Sequence, residues 1–245
     1  GATGFIASQI VAELLATGHH VRGTIRSCGR TRNVDHLLHL PGADERLELV
    51  EADLMKDGSF DSAAMGCDAV VHTASPYRMD AADPQRDLVE PAVSGTRNVL
   101  SACVRAGSVH RVVLTSSMAA VTDEPENGRL LTEVDWNSKS SLERNPYYYS
   151  KTLAEKSAWN FVAEHAPPFD LVVLNPFVVI GPSLTSSLNT SNKIFVDLVK
   201  GSYPAVLNLT WGFVDVRDVA NAHLRALSTR WAQGRYICAG ETVSM

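Results

Sequence analysis

The sequence predicts a doubly wound α/β fold, in which a parallel β-sheet carries helices on both faces. Short runs rich in leucine and β-branched residues alternate along the chain with segments of helical periodicity. The runs are almost continuously apolar, which is typical of strands covered by helices on both sides. A glycine-rich turn at the start leads directly into an amphipathic helix, as expected of such a fold. The 245 residues, 45% of them hydrophobic, suffice for one such domain.

The alternating elements follow from local composition and periodicity. The predicted strands are, in chain order, residues 21–25, 47–52, 69–72, 112–115 and 171–175. The predicted helices are residues 7–16, 34–40, 94–106 and 148–164. Two polar, irregular segments, about 121–146 and 181–213, interrupt the pattern. Long irregular segments in a compact domain are usually functional. We therefore expect a small substrate-binding lobe built from these two segments, within a single domain spanning residues 1–245.

The two ends of the chain predict a fragment. Gly1 opens the chain inside the glycine-rich turn, and an apolar strand normally precedes such a turn. Residues 239–245 resemble the start of a further element. We therefore expect that the first strand of the sheet and the C-terminal tail are lacking.

Charge and composition exclude several function classes. The formal net charge is −5 and no basic stripe is present, so nucleic acid and anionic membranes are not expected partners. No apolar run approaches the length of a membrane span. The four cysteines form no C-x-x-C pair, which favours reduced thiols and a cytoplasmic protein. His36 and His39 are three residues apart on a predicted helix without a third ligand, and we predict no metal site.

The turn at the start has the pattern Gly-x-x-Gly-x-x-Ala, formed by Gly1, Gly4 and Ala7, with Phe5 and Ile6 inside it. Gly1 permits a tight turn, and Gly4 lets the backbone approach a pyrophosphate without a Cβ clash. Ala7 lets the helix and the sheet pack closely. The free N–H groups and the positive dipole end of the helix then face the phosphates. The pattern predicts dinucleotide binding; the alternative is an ordinary turn at the start of a helix.

Arg26 indicates which dinucleotide binds. In NAD-binding proteins of this fold, an acidic residue at the end of the strand after the glycine-rich turn and its helix binds the ribose hydroxyls. In this chain that strand is residues 21–25, and Arg26 stands at its end, followed by Arg30 and Arg32. A guanidinium can hold a 2′-phosphate through paired hydrogen bonds, which favours NADP(H) over the alternative of a solvated basic turn. Asp53 and Leu54 follow the next strand, where they can line the adenine side, although Asp53 can equally cap a helix.

The candidate catalytic residues are Tyr147 and Lys151, spaced so that they share one face of a helix. A phenol ionises near pH 10, and a neighbouring ammonium lowers that pKa. Tyr147 can then exchange a proton with a carbonyl oxygen. Ser117, at the tip of the strand ending in Thr115, is our choice for the hydroxyl that orients the carbonyl; Ser116 is the second choice.

With these motifs in place, the chain resembles the extended short-chain dehydrogenase/reductase family, whose members share a Rossmann fold. Within that family it looks most like the dihydroflavonol reductase, cinnamoyl-CoA reductase and aldehyde reductase group. The matching segments are residues 1–7, 53–54, 72–76, 115–117, 147–156, 175–176, 181–182 and 213–219. The resemblance implies the catalytic triad Ser117, Tyr147 and Lys151, and NADPH as the cofactor. It implies cofactor contacts from the Gly1–Ala7 turn and from Arg26, Asp53, Leu54, Thr73, Ala74, Ser75, Tyr147, Lys151, Pro176, Val179 and Ser191.

Three departures from the family pattern shape the predicted substrate. Thr122 stands where dihydroflavonol reductases carry asparagine. Pro-Tyr-Tyr-Tyr, at residues 146–149, stands where cinnamoyl-CoA reductases carry Trp-Tyr-Cys-Tyr. Ala92 stands where many family members carry a helix asparagine. We therefore predict NADPH-dependent reduction of a broader aldehyde or ketone with an aromatic or extended apolar side. The alternatives are a sugar-nucleotide epimerase or dehydratase that retains NAD, and a non-catalytic dinucleotide-sensing protein.

Three further features have structural interpretations. His72 is expected to pack or line the cofactor site rather than to act in catalysis. Asp215 and Asp218 are expected to fix a turn or cap the following helix. The four tryptophans are expected in the core or the pocket wall.

Overall fold

The computed structural model describes residues 1–26, 34–75, 81–124, 128–185, 188–202 and 210–244. Its strands are β1 (Val21–Ile25), β2 (Leu47–Glu51), β3 (Ala69–His72), β4 (Arg111–Thr115), β5 (Asp170–Pro176), β6 (Val178–Ile180), β7 (Thr210–Asp215), β8 (Gly234–Cys238) and β9 (Thr242–Ser244). Its helices are α1 (Phe5–Ala16), α2 (Asp35–Leu38), α3 (Ala43–Arg46), α4 (Asp61–Ala64), α5 (Glu90–Ala106), α6 (Pro146–His165), α7 (Thr190–Val199) and α8 (Val216–Ser228). A π-helical turn, Gln85–Val89, leads into α5, and a 3₁₀ turn, Met118–Ala120, follows β4.

The sheet is parallel at its centre. Strands β3, β4, β5 and β8 pair in that order, all parallel, and β1 pairs with β2 in a separate parallel ribbon. An apolar groove of about 960 Å³ lies between β1 and β3, with side chains of α1, α5 and α8 on its walls. Strands β6 and β7 are parallel and β9 joins β7 antiparallel. The predicted parallel α/β architecture is therefore confirmed.

Alternate residues of the central strands face different helices. Val112 and Val173 pack in a cluster with residues of α5 and α6. Their neighbours Val113 and Val172 pack instead against Ala226 of α8. Because side chains alternate along a strand, helices on both faces bury the apolar side chains of β4 and β5, which is the doubly wound arrangement. The continuous apolar character of these strands in the sequence has this cause.

Strand register brings the functional loops together. His72 pairs with Leu114, and Thr115 pairs with Leu174. The carboxyl ends of β3, β4 and β5 therefore lie at one edge of the sheet, where ligands bind in open α/β sheets. Residues 73–75 and 116–117 leave the sheet at this edge, beside Pro176.

The structure differs from the sequence prediction at several places, and strand β8 of the central sheet was not predicted. The segment 181–213, predicted to be irregular, contains helix α7 and the start of β7. None of the α7 residues is buried, so its apolar positions do not mark a core-facing helix. Helix α6 begins at Pro146, two residues before the predicted start, because proline is tolerated in a first helical turn. Trp231, predicted to be buried, is 82% exposed.

Other expectations concern single residues and the membrane. Asp215 accepts a hydrogen bond from the backbone N–H of Arg217 at 2.8 Å and so caps α8, as predicted. Arg30 and Arg32 of the basic cluster, Cys28 and Pro76 lie outside the described residues. Within the described ranges, no helix is both long and apolar enough to cross a membrane.

Candidate active site

The glycine-rich turn leads into α1 and is hydrogen-bonded to β1, which follows α1 in the chain. The Ala2 N–H donates to the Thr24 carbonyl at 2.8 Å, and the Gly4 N–H donates to the Gly1 carbonyl at 3.2 Å. Gly4 is the N-cap of α1, and neither a capping side chain nor an acidic residue occupies the first turn. The N–H groups of that turn and the positive end of the helix dipole are therefore available to an anion.

Protein packing does not explain the glycine at position 4. Gly4 has φ −69° and ψ 158°, a backbone conformation open to any residue. A Cβ added there would meet the Gly1 carbonyl oxygen at 3.5 Å and the Ala7 Cβ at 3.8 Å, which are ordinary contacts. A Cβ would instead occupy space in front of the helix start. The turn therefore fits a bound pyrophosphate group, for which close approach of the backbone is needed.

Phe5 and Ile6 pack the start of α1 against strands β6 and β7. Both pack against a buried cluster that includes Val179 of β6 and Val214 of β7. The structure thus places the predicted residue Val179 beside the turn, with its side chain 7% exposed. Helix α7 is attached nearby, because the Asn192 side chain exchanges hydrogen bonds with the backbone of Gly181 at 2.9 and 3.2 Å. Ser191 lies half-buried in the first turn of α7.

Arg26, Asp53 and Leu54 lie at adjacent strand ends. Arg26 directly follows β1 and is exposed. The Ala52 N–H donates to the Ile25 carbonyl at 2.9 Å, which places Asp53 beside Arg26. The Asp53 carboxylate accepts from the Met55 N–H at 2.9 Å and so fixes a local turn; the next helix begins only at Asp61, so Asp53 is not the helix cap that the sequence left open. The Leu54 carbonyl accepts from Asn98 of α5 at 2.7 Å, which fixes this loop.

The carboxyl ends of β3 and β4 meet helix α6 around a small cavity of about 10 Å³, lined in part by His72, Ser75, Ser116 and Lys151. His72 is buried, and burial, chiefly, lowers its pKa to about 3. The buried His72 Nε2 and Ser75 Oγ have no hydrogen-bond partner among the described residues. Buried polar atoms of this kind generally require a partner, and Thr73–Ser75 follow β3 where a cofactor is expected. Their arrangement fits a lining role for His72 rather than a catalytic one.

Tyr147 and Lys151 share one face of α6. The Lys151 Nζ lies 5.6 Å from the centroid of the Tyr147 ring, within the range of a cation–π interaction. Tyr147 is half-buried, whereas Lys151 is 8% exposed. Burial lowers the pKa of Lys151 from its usual 10.5 to about 8. The pair thus combines an accessible phenol with a shielded ammonium.

The structure distinguishes the two candidate serines. The Ser116 hydroxyl donates to the Glu155 carboxylate at 2.6 Å, so its hydrogen is already used. The Ser117 oxygen accepts from the Ala119 N–H at 3.1 Å, and within the described part of the chain its hydroxyl donates to no residue. Ser117 therefore retains a donor for a ligand, which favours the first choice made from the sequence.

Two supporting residues escaped the sequence interpretation. Asn175, at the end of β5, donates to the Ser117 carbonyl at 3.0 Å. Asp123 accepts from Arg144 at 3.0 Å and from the Asn145 side chain, just before α6 begins. Asn145 has a positive φ of 51°. The hydrogen bonds to Asp123 therefore stabilise a left-handed backbone conformation directly before α6. An acidic residue in a polar loop carries no signal of such a role, because its partner lies about twenty residues away.

The fold and this site define a class of protein: a Rossmann-type sheet with a glycine-rich turn at the start of a helix and a Tyr-x-x-x-Lys helix at its carboxyl edge. Residues 1–239 match the sequence model of the NAD dependent epimerase/dehydratase family. The chain belongs to this family, within the extended short-chain dehydrogenase/reductase group, and the predicted resemblance is confirmed.

Three relatives place the chain more closely. It is 44% identical to "Cinnamoyl-CoA reductase CAD2" of Medicago truncatula, over 100% of this chain and 75% of the relative. It is 36% identical to "Dihydroflavonol 4-reductase" of Arabidopsis thaliana, over 100% of this chain and 65% of the relative. The solved structure of yeast methylglyoxal/isovaleraldehyde reductase Gre2 complexed with NADPH superposes with a TM-score of 0.91 at 34% identity, covering 100% of this chain and 78% of that one.

Proposed function

We propose that this protein reduces an aldehyde or ketone by hydride transfer from NADPH, with Ser117, Tyr147 and Lys151 as its catalytic residues. The observation that carries the proposal is the Tyr147–Lys151 pair, 5.6 Å apart from ammonium to ring centroid, at the edge where the strand ends meet. The predicted class, an NADP-dependent oxidoreductase, is confirmed by relatives that are reductases and by the NADPH bound to yeast Gre2.

The residues in the turn fit the cofactor. The uncapped start of α1 and the glycine at position 4 suit a pyrophosphate, and exposed Arg26 suits the 2′-phosphate that distinguishes NADPH from NADH. Lys151 would bind the nicotinamide ribose, as the family resemblance implies. NADPH supplies the hydride that reduces the carbonyl carbon.

The protein's own groups handle the proton and the orientation. Ser117 donates a hydrogen bond to the carbonyl oxygen and so orients the substrate. Tyr147 donates its phenolic proton to the same oxygen as negative charge develops there. The buried ammonium of Lys151 favours the phenolate that this transfer leaves. Burial of Lys151 excludes water from its ammonium and strengthens the electrostatic interaction between the two groups.

The substrate lobe favours a carbonyl compound with an aromatic or extended apolar side. Helix α7 presents apolar side chains that no core covers; Phe195 is 42% exposed and Leu198 is 39% exposed. Phe195 also packs edge-to-face on Phe213, 5.8 Å between ring centroids. Apolar and aromatic walls with a few polar groups are typical of small-molecule sites. In the proposed reaction, the Ser117 and Tyr147 hydroxyls are the polar groups that bind the carbonyl oxygen.

A carbonyl substrate panel tests the proposal. The full-length protein is incubated with aromatic, extended aliphatic and short aldehydes and ketones, with NADPH and NADH in parallel, and cofactor absorbance is followed. We expect oxidation of NADPH with aromatic or extended substrates and a weaker rate with NADH. No turnover across the panel, together with NAD released on denaturation, would indicate an epimerase or dehydratase instead. No turnover with intact NADPH binding would indicate a dinucleotide sensor.

A further inference from the structure

Behind the catalytic residues lies a buried ion pair that their chemistry does not use. The Arg235 Nε of β8 lies 2.6 Å from the Glu155 Oε1 of α6, and the two side chains are 7% and 0% exposed. Ionic groups are rarely buried, because removing them from water costs several kcal/mol unless hydrogen bonds compensate. The pair therefore needs an explanation beyond the stability of the fold.

The Glu155 carboxylate binds two residues that hold Ser117 in place: its chain neighbour Ser116 and the side chain of Asn175. Its Oε2 accepts from the Ser116 hydroxyl at 2.6 Å and from the Asn175 side-chain amide at 2.7 Å. The same Asn175 amide donates to the Ser117 carbonyl at 3.0 Å. Glu155 also lies one helical turn after Lys151, on the same face of α6. One carboxylate thus connects the helix of Tyr147 and Lys151 to the strand end that carries Ser117.

The Arg235 guanidinium extends this connection to the first segment of the substrate lobe. It donates to the backbone carbonyls of Asp135 at 2.6 Å, Glu133 at 2.9 Å and Ala120 at 3.4 Å. Its Cζ lies 3.8 Å from the centroid of the Trp136 ring. The planar fork of arginine suits several carbonyls and an aromatic face at once, which lysine cannot match. Residues 133–136 are therefore held in a fixed relation to α6.

We propose that Glu155 and Arg235 are positioning residues that hold Ser117 in register with Tyr147 and Lys151 and tie the 133–136 segment to that arrangement. The inference rests on the proposed function above. Glu155 sets the strand end through Ser116 and Asn175, and Arg235 balances the buried charge while it holds the loop. Neither residue touches the reacting atoms. Such pairs are weak contributors to net stability and are best retained where they fix geometry.

A double substitution separates positioning from stability. Removing one partner leaves a buried uncompensated charge, so Glu155→Met and Arg235→Met should each lower the unfolding temperature. The Glu155→Met/Arg235→Met double variant removes both charges and should recover part of that loss, although Ser116, Asn175 and the backbone carbonyls of residues 133 and 135 lose their partners. Glu164→Gln is the matched control, because Glu164 lies on the same helix in an exposed ion pair with Arg97. Glu155→Gln keeps the shape of the side chain and removes its charge. It replaces the double variant in the measurements if the double variant does not fold.

Two measurements are made on each folded variant of the full-length protein. In steady-state kinetics on the best panel substrate, kcat of the double variant should fall about 10- to 100-fold while the KM for NADPH is unchanged, as expected when a catalytic group is misplaced. In hydrogen–deuterium exchange, the backbone amides of residues 117–120 should exchange faster than in the control. Recovery of kcat together with stability would overturn the inference.

The hydrogen–deuterium exchange result does not depend on whether the proposed function is correct. If the unsubstituted protein turns over no carbonyl compound, the proposed function fails. Faster exchange at residues 117–120 in a stable double variant would then still support the positioning role. Unchanged exchange there would overturn it, whatever the activity.

Discussion

The Lys151 Nζ lies 5.6 Å from the centroid of the Tyr147 ring, one turn further along α6. The helix begins at Pro146, so Tyr147 lies in its first turn, near the open edge of the sheet, while Lys151 is buried. A four-residue spacing thereby places an accessible phenol and a shielded ammonium on the same face. The predictions below test this pair and the turn that would hold its cofactor.

Replacing Tyr147 by phenylalanine removes the proton donor and leaves the ring. We expect kcat to fall about 10²- to 10⁴-fold, the range for a lost general acid, with NADPH binding unchanged. Tyr149→Phe, which removes a phenol two residues away, is the matched control and should retain activity. Steady-state kinetics and NADPH fluorescence titration measure both quantities. Full activity in Tyr147→Phe would remove the phenol from the mechanism.

The lowered pKa of Lys151 predicts a pH profile. Since burial lowers this pKa to about 8, the ammonium is present below that pH and is lost as the pH rises through it. The kcat/KM for NADPH, which reports the free protein, should be constant below pH 8 and decrease above it. Lys151→Arg carries a charge that does not titrate in this range, so the decrease should vanish from its residual activity. A decrease that persists unchanged in Lys151→Arg would assign the titration to another group.

A Cβ at Gly4 would make only ordinary contacts with the protein, which predicts that a methyl group there affects the ligand and not the fold. Gly4→Ala should weaken NADPH binding at least about tenfold, equivalent to about 1.4 kcal/mol, with the unfolding temperature of the free protein unchanged. Gly212→Ala provides the contrast, because a Cβ there would lie 2.5 Å from the Phe177 ring and should destabilise the protein. Titration by fluorescence and thermal unfolding distinguish the two. Equal NADPH affinity in Gly4→Ala would place the pyrophosphate elsewhere.

Arg26 is expected to determine the choice between NADPH and NADH. Arg26→Ser removes the guanidinium from an exposed position, so stability should not change. The ratio of kcat/KM for NADPH to that for NADH should fall about tenfold or more, since a charge-assisted hydrogen bond contributes about 1.5–3 kcal/mol. The NADH rate of the same variant is the internal control. A ratio that does not change would leave Arg26 as a solvated residue of the turn.

The regular elements were largely predictable because their periodicity follows directly from burial. Strands β4 and β5 read as continuous apolar runs, and α5 and α6 cover them with apolar positions at helical spacing. Helix α7 was missed, since none of its residues is buried and its pattern reports no core. The exposure of Trp231 was missed for a related reason: an aromatic side chain in the sequence does not say whether another element covers it.

The site was predictable only as far as each residue carries a local signal. Gly1, Gly4, Tyr147 and Lys151 are recognised by spacing, and those proposals still await the tests above. Glu155 carries a weaker signal, a carboxylate on the same helix face as Lys151. Arg235 carries none, because its ion-pair partner lies 80 residues away along the chain.

The sequence by itself determined the fold class, the glycine-rich turn before α1 and the Tyr-x-x-x-Lys spacing, because each depends on neighbours within a few residues. The tertiary structure alone decided that Ser116 hydrogen-bonds to Glu155 while Ser117 keeps its hydroxyl donor, and that Arg235 completes this support. These relationships depend on strand register and on the packing of β8 beside β5. Contacts of that range arise only when the whole sheet is assembled, since no local pattern encodes which strand ends will meet.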